Sequence, residues 1–199
     1  MGRFKHLVDA EEGMKNFRTK YNIPPNVGVR YVVQGEWFDD RKTGEMVIPM
    51  IAFIEGGMTI PIGTITRNFL RFFRLSLTQC APNMFRVLES IEVLNERMNL
   101  NLTHHDVNWI YNLHNMKGQG YYLKSRHPEI RLIQCLPISN KSLKEDFLIF
   151  LGSGMMVNLV QLRREHQVGV HLPIYTFWFM PFFHFPLFLV LIKMHFFLF

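Results

Sequence analysis

With 199 residues the chain has room for one domain and appendages. Its two cysteines, Cys80 and Cys135, stand in no C-x-x-C spacing, which excludes a disulfide scaffold or a zinc ribbon built from this chain alone. The formal net charge of +6 is spread as 8 basic against 7 acidic residues in 1–50, 11 against 8 in 51–150 and 3 against 1 in 151–199, which argues against a dedicated basic arm for nucleic acid.

The segment Asp9 to Tyr21 is predicted as a short helix. Asp9 stands at its cap, Glu11 and Glu12 suit its positive end, Pro24-Pro25 stops it, and Met14, Phe17 and Tyr21 form a narrow apolar face. A β-branched run from Val27 to Val33 predicts a strand. Beyond the polar turn Asp39 to Gly44, the apolar run Met46 to Ile54 predicts a second one, giving a hairpin or an extended lead-in.

After Pro61 the apolar spacing becomes helical, with Ile62, Ile65, Phe69, Phe72 and Phe73 recurring every three or four residues. Another helix is predicted from Pro82 to Met98, striped by Val87, Leu88, Ile91, Leu94 and Met98. A third begins at Thr103, whose hydroxyl lies three residues before the Asp106 carboxylate, with Val107, Ile110 and Tyr111 as its apolar side. Strands are predicted at Tyr121 to Lys124, Ile130 to Leu136 and Phe147 to Leu151. The sum is an α+β chain with a mainly helical core, a small C-terminal sheet and an apolar C-terminal tail.

Three blocks carry a resemblance: Gly57-Met58-Thr59-Ile60-Pro61, Phe69-Leu70-Arg71-Phe72-Phe73-Arg74-Leu75, and Gln79-Cys80-Ala81-Pro82-Asn83-Met84-Phe85-Arg86-Val87-Leu88. With Asn108-Trp109-Ile110-Tyr111 and Gly120-Tyr121-Tyr122-Leu123-Lys124-Ser125-Arg126 following in order, residues 46–150 resemble the gypsy-type transposon domain of plant genomes. The resemblance implies a gag-like part of a retroelement polyprotein, for which no catalytic residues are established. It also sets the expected organisation: 1–45 an N-terminal extension with a short helix, 46–150 the domain, 151–171 a linker, and 172–199 the apolar tail. Similar sequences continue after Phe150 with a Trp and a short acidic-Gly stretch, where this chain has Gly154-Met155-Met156-Val157. Residues from about Ser153 onward are therefore expected to be out of frame or intron-like, which translation of the gene in the neighbouring frame tests.

Among chemical constellations, Trp37-Phe38-Asp39-Asp40 is similar to the paired metal-binding carboxylates of reverse transcriptases, but no companion residues accompany it and it reads as a solvated turn. His104, His105, Asp106 and His114 are metal-ligand types, yet adjacent helical positions diverge by roughly 100° and His114 shares their face only if the helix runs on. A surface His pair beside a cap is the reading adopted. Arg67, Arg71 and Arg74 fall at i, i+4 and i+7 among Phe69, Phe72 and Phe73, a stripe able to follow a phosphate backbone. No phosphate loop, dinucleotide fingerprint, zinc-protease or nucleophile-elbow motif occurs, so no enzyme, cofactor or small-molecule substrate is inferred.

Leu172 to Ile192 carries no Asp, Glu, Lys or Arg, long enough at 1.5 Å per residue to span a bilayer core, with Arg163 and Arg164 before it. Pro173, Pro181 and Pro186 each remove a helix hydrogen bond. Two expectations result. The first is a noncatalytic gag-like domain, cytoplasmic or nuclear, self-associating or contacting nucleic acid through Arg67, Arg71 and Arg74. The alternative is a small tail-anchored protein held in the membrane through 172–192, with its N-terminal domain in the cytosol.

Overall fold

The computed structural model describes residues 2–33, 45–117, 120–127, 129, 132–134, 136–137 and 146–151. In chain order the elements are α1 (Glu11–Lys20), β1 (Gly28–Val33), β2 (Glu45–Pro49), α2 (Met50–Ile54), α3 (Thr64–Phe72), α4 (Pro82–Met98), α5 (His104–Ile110), β3 (Tyr111–Asn115), β4 (Tyr121–Ser125) and β5 (Asp146–Leu151). Helices and two small antiparallel sheets together make an α+β fold.

The larger sheet has the order β1-β5-β2, with both outer strands antiparallel to β5 and Leu148 opposite Tyr31 on one side and Ile48 on the other. This corrects the expected hairpin: the two N-terminal strands do not pair, because the last described strand inserts between them. Being central, β5 is covered on both faces, and Asp146 to Phe150 are all buried. Leu148 and Phe150 point with Met46 and Ile48 into the main core. Phe147 and Ile149 join Val32 and Val47 in a separate cluster on the opposite face, as strand alternation requires.

The second half of the predicted strand Met46–Ile54 is helix instead. Met50, Ile51, Ala52 and Phe53 in α2 are 0% exposed, so the buried run shows neither strand nor helix periodicity. At the N-terminus α1 starts two residues after Asp9, which does not cap it; Ala10 holds that place without a side-chain bond. Residues set apart in sequence as an extension enter the same core. The Phe17 ring centroid lies 4.6 Å from that of Tyr21 and 5.6 Å, edge-on, from that of Phe53, and Phe53 lies 5.8 Å from Phe150.

α3 and α4 pack together, with Ile65, Phe69 and Leu70 meeting a buried α4 face that includes Met84, Leu88 and Ile91. α4 has the predicted bounds, with Pro82 in its first turn where a missing N–H is harmless. Arg86 forks its Nε and Nη2 onto the Glu55 carbonyl at 3.0 and 2.6 Å, closing the end of α2.

The helix predicted from Thr103 begins as read, with Thr103 and Asp106 forming a capping box, but it stops at Ile110. Tyr111 opens β3, which pairs antiparallel with β4. The outer edge of β4 is covered by α4 and the turn before it. Ala81 N–H donates to the Tyr121 carbonyl at 2.8 Å, and the Asn83 amide bonds both the carbonyl (2.7 Å) and the N–H (3.3 Å) of Leu123. Gly120 permits this approach, since a Cβ there would stand 2.6 Å from the Gln79 carbonyl oxygen and its φ is +126°. Of the strand predicted at Ile130–Leu136, Ile130, Arg131 and Cys135 lie outside the described residues, and no strand is assigned to the others. Trp37-Phe38-Asp39-Asp40, the linker apart from Leu151, which ends β5, and the tail also lie outside them, so the membrane and reading-frame expectations concern undescribed residues. Among the described residues no helix is long and apolar enough to cross a membrane.

Candidate nucleic-acid interface

The three arginines singled out by spacing take three different environments. Arg67 is half-buried on α3, its Nη2 donating to Thr64 Oγ1 at 3.2 Å and its Nε enclosed without a hydrogen-bond partner. Arg71, in the last turn of α3, is exposed. Arg74 is exposed too, but the helix ends at Phe72 and Arg74 lies beyond it with φ at +53°. Its N–H meets the Arg71 carbonyl at 3.2 Å and the next N–H, of Leu75, reaches back to Leu70 at 2.9 Å. Those two bonds form the paired helix stop in which a left-handed residue satisfies the last carbonyls, a place glycine usually takes. The expected stripe on one helix face is thereby corrected: α3 is too short to carry Arg74, and Arg67 is partly withdrawn.

Between Arg71 and Arg74 in the chain lie two aromatic residues, Phe72 and Phe73. Phe72 keeps 48% of its surface exposed. Its ring lies 4.9 Å from Phe73, 5.4 Å from His104 and 5.3 Å from His105, and the two imidazoles are 4.0 Å apart. One turn beyond the exposed His105, on the same side of α5, Trp109 is 62% exposed. Val107 and Ile110 bury the other side of that helix.

A seven-residue helix has little stability of its own, so tertiary bonds must hold this one. At its start Asp106 Oδ2 accepts from Thr103 N–H and Oγ1, both at 2.8 Å, which turns the carboxylate of α5 inward. At its end Arg126 forks onto the Asn108 carbonyl at 3.1 and 2.9 Å, and Arg126 N–H bonds the Ile110 carbonyl at 2.9 Å. His105 and Trp109 are therefore presented from a fixed backbone.

Burial, reinforced by the neighbouring His105 and opposed by Asp106, pushes the His104 imidazole below its ordinary value, so it is neutral at pH 7. His114 takes no part: it lies on β3, stacked 5.3 Å from Tyr122. Because the chain switches from helix to strand at Tyr111, His114 cannot share a helical face with His105. Among the described residues no three His, Cys, Asp or Glu side chains gather in a metal-holding group. Cys80 is wholly buried, its thiol pushed up by burial and donating to the Ser76 carbonyl at 3.2 Å, which leaves it a poor nucleophile.

Sequence reasoning singled out Arg71 and Arg74 but missed Trp109 and the exposure of Phe72. A signal for the former was present, since Trp109 falls off the Val107–Ile110 stripe that α5 buries. No protein-family model, curated protein or solved structure matches the chain.

Proposed function

We propose that the chain is a noncatalytic, gag-like module of retroelement origin that contacts nucleic acid through the corner where α3 meets α5. The resemblance of residues 46–150 to the gypsy-type transposon domain supports the lineage. The observation that carries the contact is the pair of exposed arginines, Arg71 and Arg74, flanking the exposed Phe72 in the chain, while the carboxylate of α5 is taken up by Thr103. Guanidinium groups bind phosphate oxygens in pairs and release counterions, so such a contact weakens steeply with salt.

The test is fluorescence anisotropy of a labelled 20-nucleotide RNA with the full chain and with an Arg71→Glu/Arg74→Glu variant across a salt series. Charge reversal is expected to lower affinity at least about tenfold, and to lower the slope of log affinity against log salt by roughly 1.4, about 0.7 for each phosphate of a single strand that is no longer neutralised. Undiminished binding by the variant, or no binding at low salt, overturns the reading.

A second reading, favoured by the absence of charge from Leu172 to Ile192, is a tail-anchored protein whose folded part faces the cytosol. Pelleting that survives carbonate washing and vanishes when residues 170–199 are removed supports it; full extraction by carbonate removes it.

A further inference from the structure

Resting on the nucleic-acid reading above, we infer that Phe72, His105 and Trp109 form a stacking platform for unpaired bases, so that the ligand is single-stranded RNA or DNA and not duplex. The first ground is that these rings are exposed although the fold buries aromatics readily. Phe17, Tyr21, Phe53, Phe69, Phe85, Tyr111 and Phe150 are all at most 6% exposed, against 48% for Phe72 and 62% for Trp109. An interior was within reach of both elements, since α3 buries Phe69 and Leu70 and α5 buries Val107 and Ile110.

The second ground is rigidity. Phe72 is backed by Phe73 and by the two imidazoles, and Trp109 rides on a helix tied at both ends. The packed Phe72 ring has little side-chain freedom left to lose when a flat ring is laid against it, and Trp109 is carried on a held backbone.

The third ground is charge. Arg71 and Arg74 are exposed and flank Phe72 in the chain, which suits a ligand whose π-faces alternate with phosphates. An apolar protein partner would leave two exposed guanidinium groups that pair with no carboxylate among the described residues. Duplex nucleic acid has the higher phosphate density, so contact through the arginines alone would favour duplex over a single strand. Base faces are open for stacking only where the strand is unpaired. Strand preference therefore separates stacking from simple charge attraction.

The experiment uses the full chain with Trp37→Phe and Trp178→Phe, so that Trp109 is the one tryptophan left. It is titrated with 12-nucleotide oligo(U), with oligo(dT), and with a duplex of the same length. Saturable quenching of Trp109 by single strands is expected, along with at least about fivefold tighter binding than to duplex, the lower end of what one stacked ring contributes. By anisotropy, Phe72→Ala and Trp109→Ala should each lower single-strand affinity at least about fivefold and leave duplex affinity unchanged, while Trp109→Tyr retains the single-strand affinity. Quenching by oligo(U) alone assigns the ligand to RNA, and by both to single strands of either sugar. Equal affinity for duplex without quenching overturns the stacking platform and leaves the arginine contact standing. Binding to none of the three overturns both.

Discussion

At the scale of single residues, a titrating group with a raised value lies where α4 faces the start of α3. Gly63, the cap of α3, has no side chain to accept its free amides, and Glu92 from α4 does so instead by taking the Ile65 N–H. One turn earlier Glu89 accepts from Thr66 Oγ1 at 3.1 Å, and Thr66 is 0% exposed. Burial first, and then the neighbouring Glu92 charge, push Glu89 up to about 7 against the opposing pull of the Thr66 bond. With the folded value above the ordinary 4.5, the folded state holds its proton over the interval between them. Glu89 thus contributes stability that is full below about pH 4.5 and is lost as pH rises through 7. Glu89→Gln keeps an acceptor for Thr66 and removes the charge. Denaturant unfolding should show this variant more stable than the parent by about 1–2 kcal/mol at pH 8, after discount for partial exposure, and little changed at pH 5. An equal effect at both pH values would contradict the assignment. The arginines show why a site is harder to read than a helix. Spacing at i, i+4 and i+7 presumes an unbroken helix, and nothing local announces that Arg74 takes the left-handed position usually left to glycine.

At the scale of elements, α4 is the organiser. Asn83 near its start clasps Leu123 of β4, and Asn95 near its end clasps Leu102 ahead of α5, through Nδ2 to the carbonyl at 2.8 Å and Oδ1 from the N–H at 3.0 Å. Each amide imitates a stretch of neighbouring strand, and the Asn83 pair replaces the hydrogen bonds that the outer edge of β4 lacks. Because Asn83 is buried, Asn83→Ala leaves a buried donor and acceptor without partners and should cost about 2–4 kcal/mol, measured as a lowered denaturation midpoint with the slope unchanged. A loss under about 0.5 kcal/mol would mean that water reaches Leu123. The elements that sequence revealed are those whose signals are local. The bounds of α4 follow from Pro82 and its apolar stripe, and the start of α5 from the Thr103–Asp106 pair. β3 was hidden because its alternation lasts five residues, Tyr111 to Asn115, and follows a helix without a linker. α2 was hidden because every residue from Glu45 to Phe53 is buried, which erases any period.

At the scale of the molecule, the fold is closed by contacts between its first and last described residues. Phe4 N–H and the Tyr31 hydroxyl both donate to the fully buried Asp146 carboxylate, the former at 3.1 Å. Burial and that bond raise the Tyr31 phenol well above its ordinary value, so it remains a donor. β1 pairs with β5 over all six residues, and Phe17 and Tyr21 complete an aromatic chain that runs through Phe53 to Phe150. No local pattern reveals such pairing, because the partner of β1 lies more than a hundred residues away. Residues 2–33 thus share a sheet and a core with the residues from Met46 onward. Taking them away opens one edge of β5, leaves Asp146 without Phe4 and Tyr31, and empties the places of Phe17 and Tyr21. A missing large aromatic costs about 3–5 kcal/mol, so two such losses approach the whole stability of about 5–15 kcal/mol typical of a domain. A chain starting at Met46 is therefore expected to bind a hydrophobic dye and to melt without a cooperative transition, where the full chain melts in one. A shortened chain that unfolds cooperatively at the temperature of the full chain would show that the core is complete without α1 and β1, and that the sheet needs only β2 and β5.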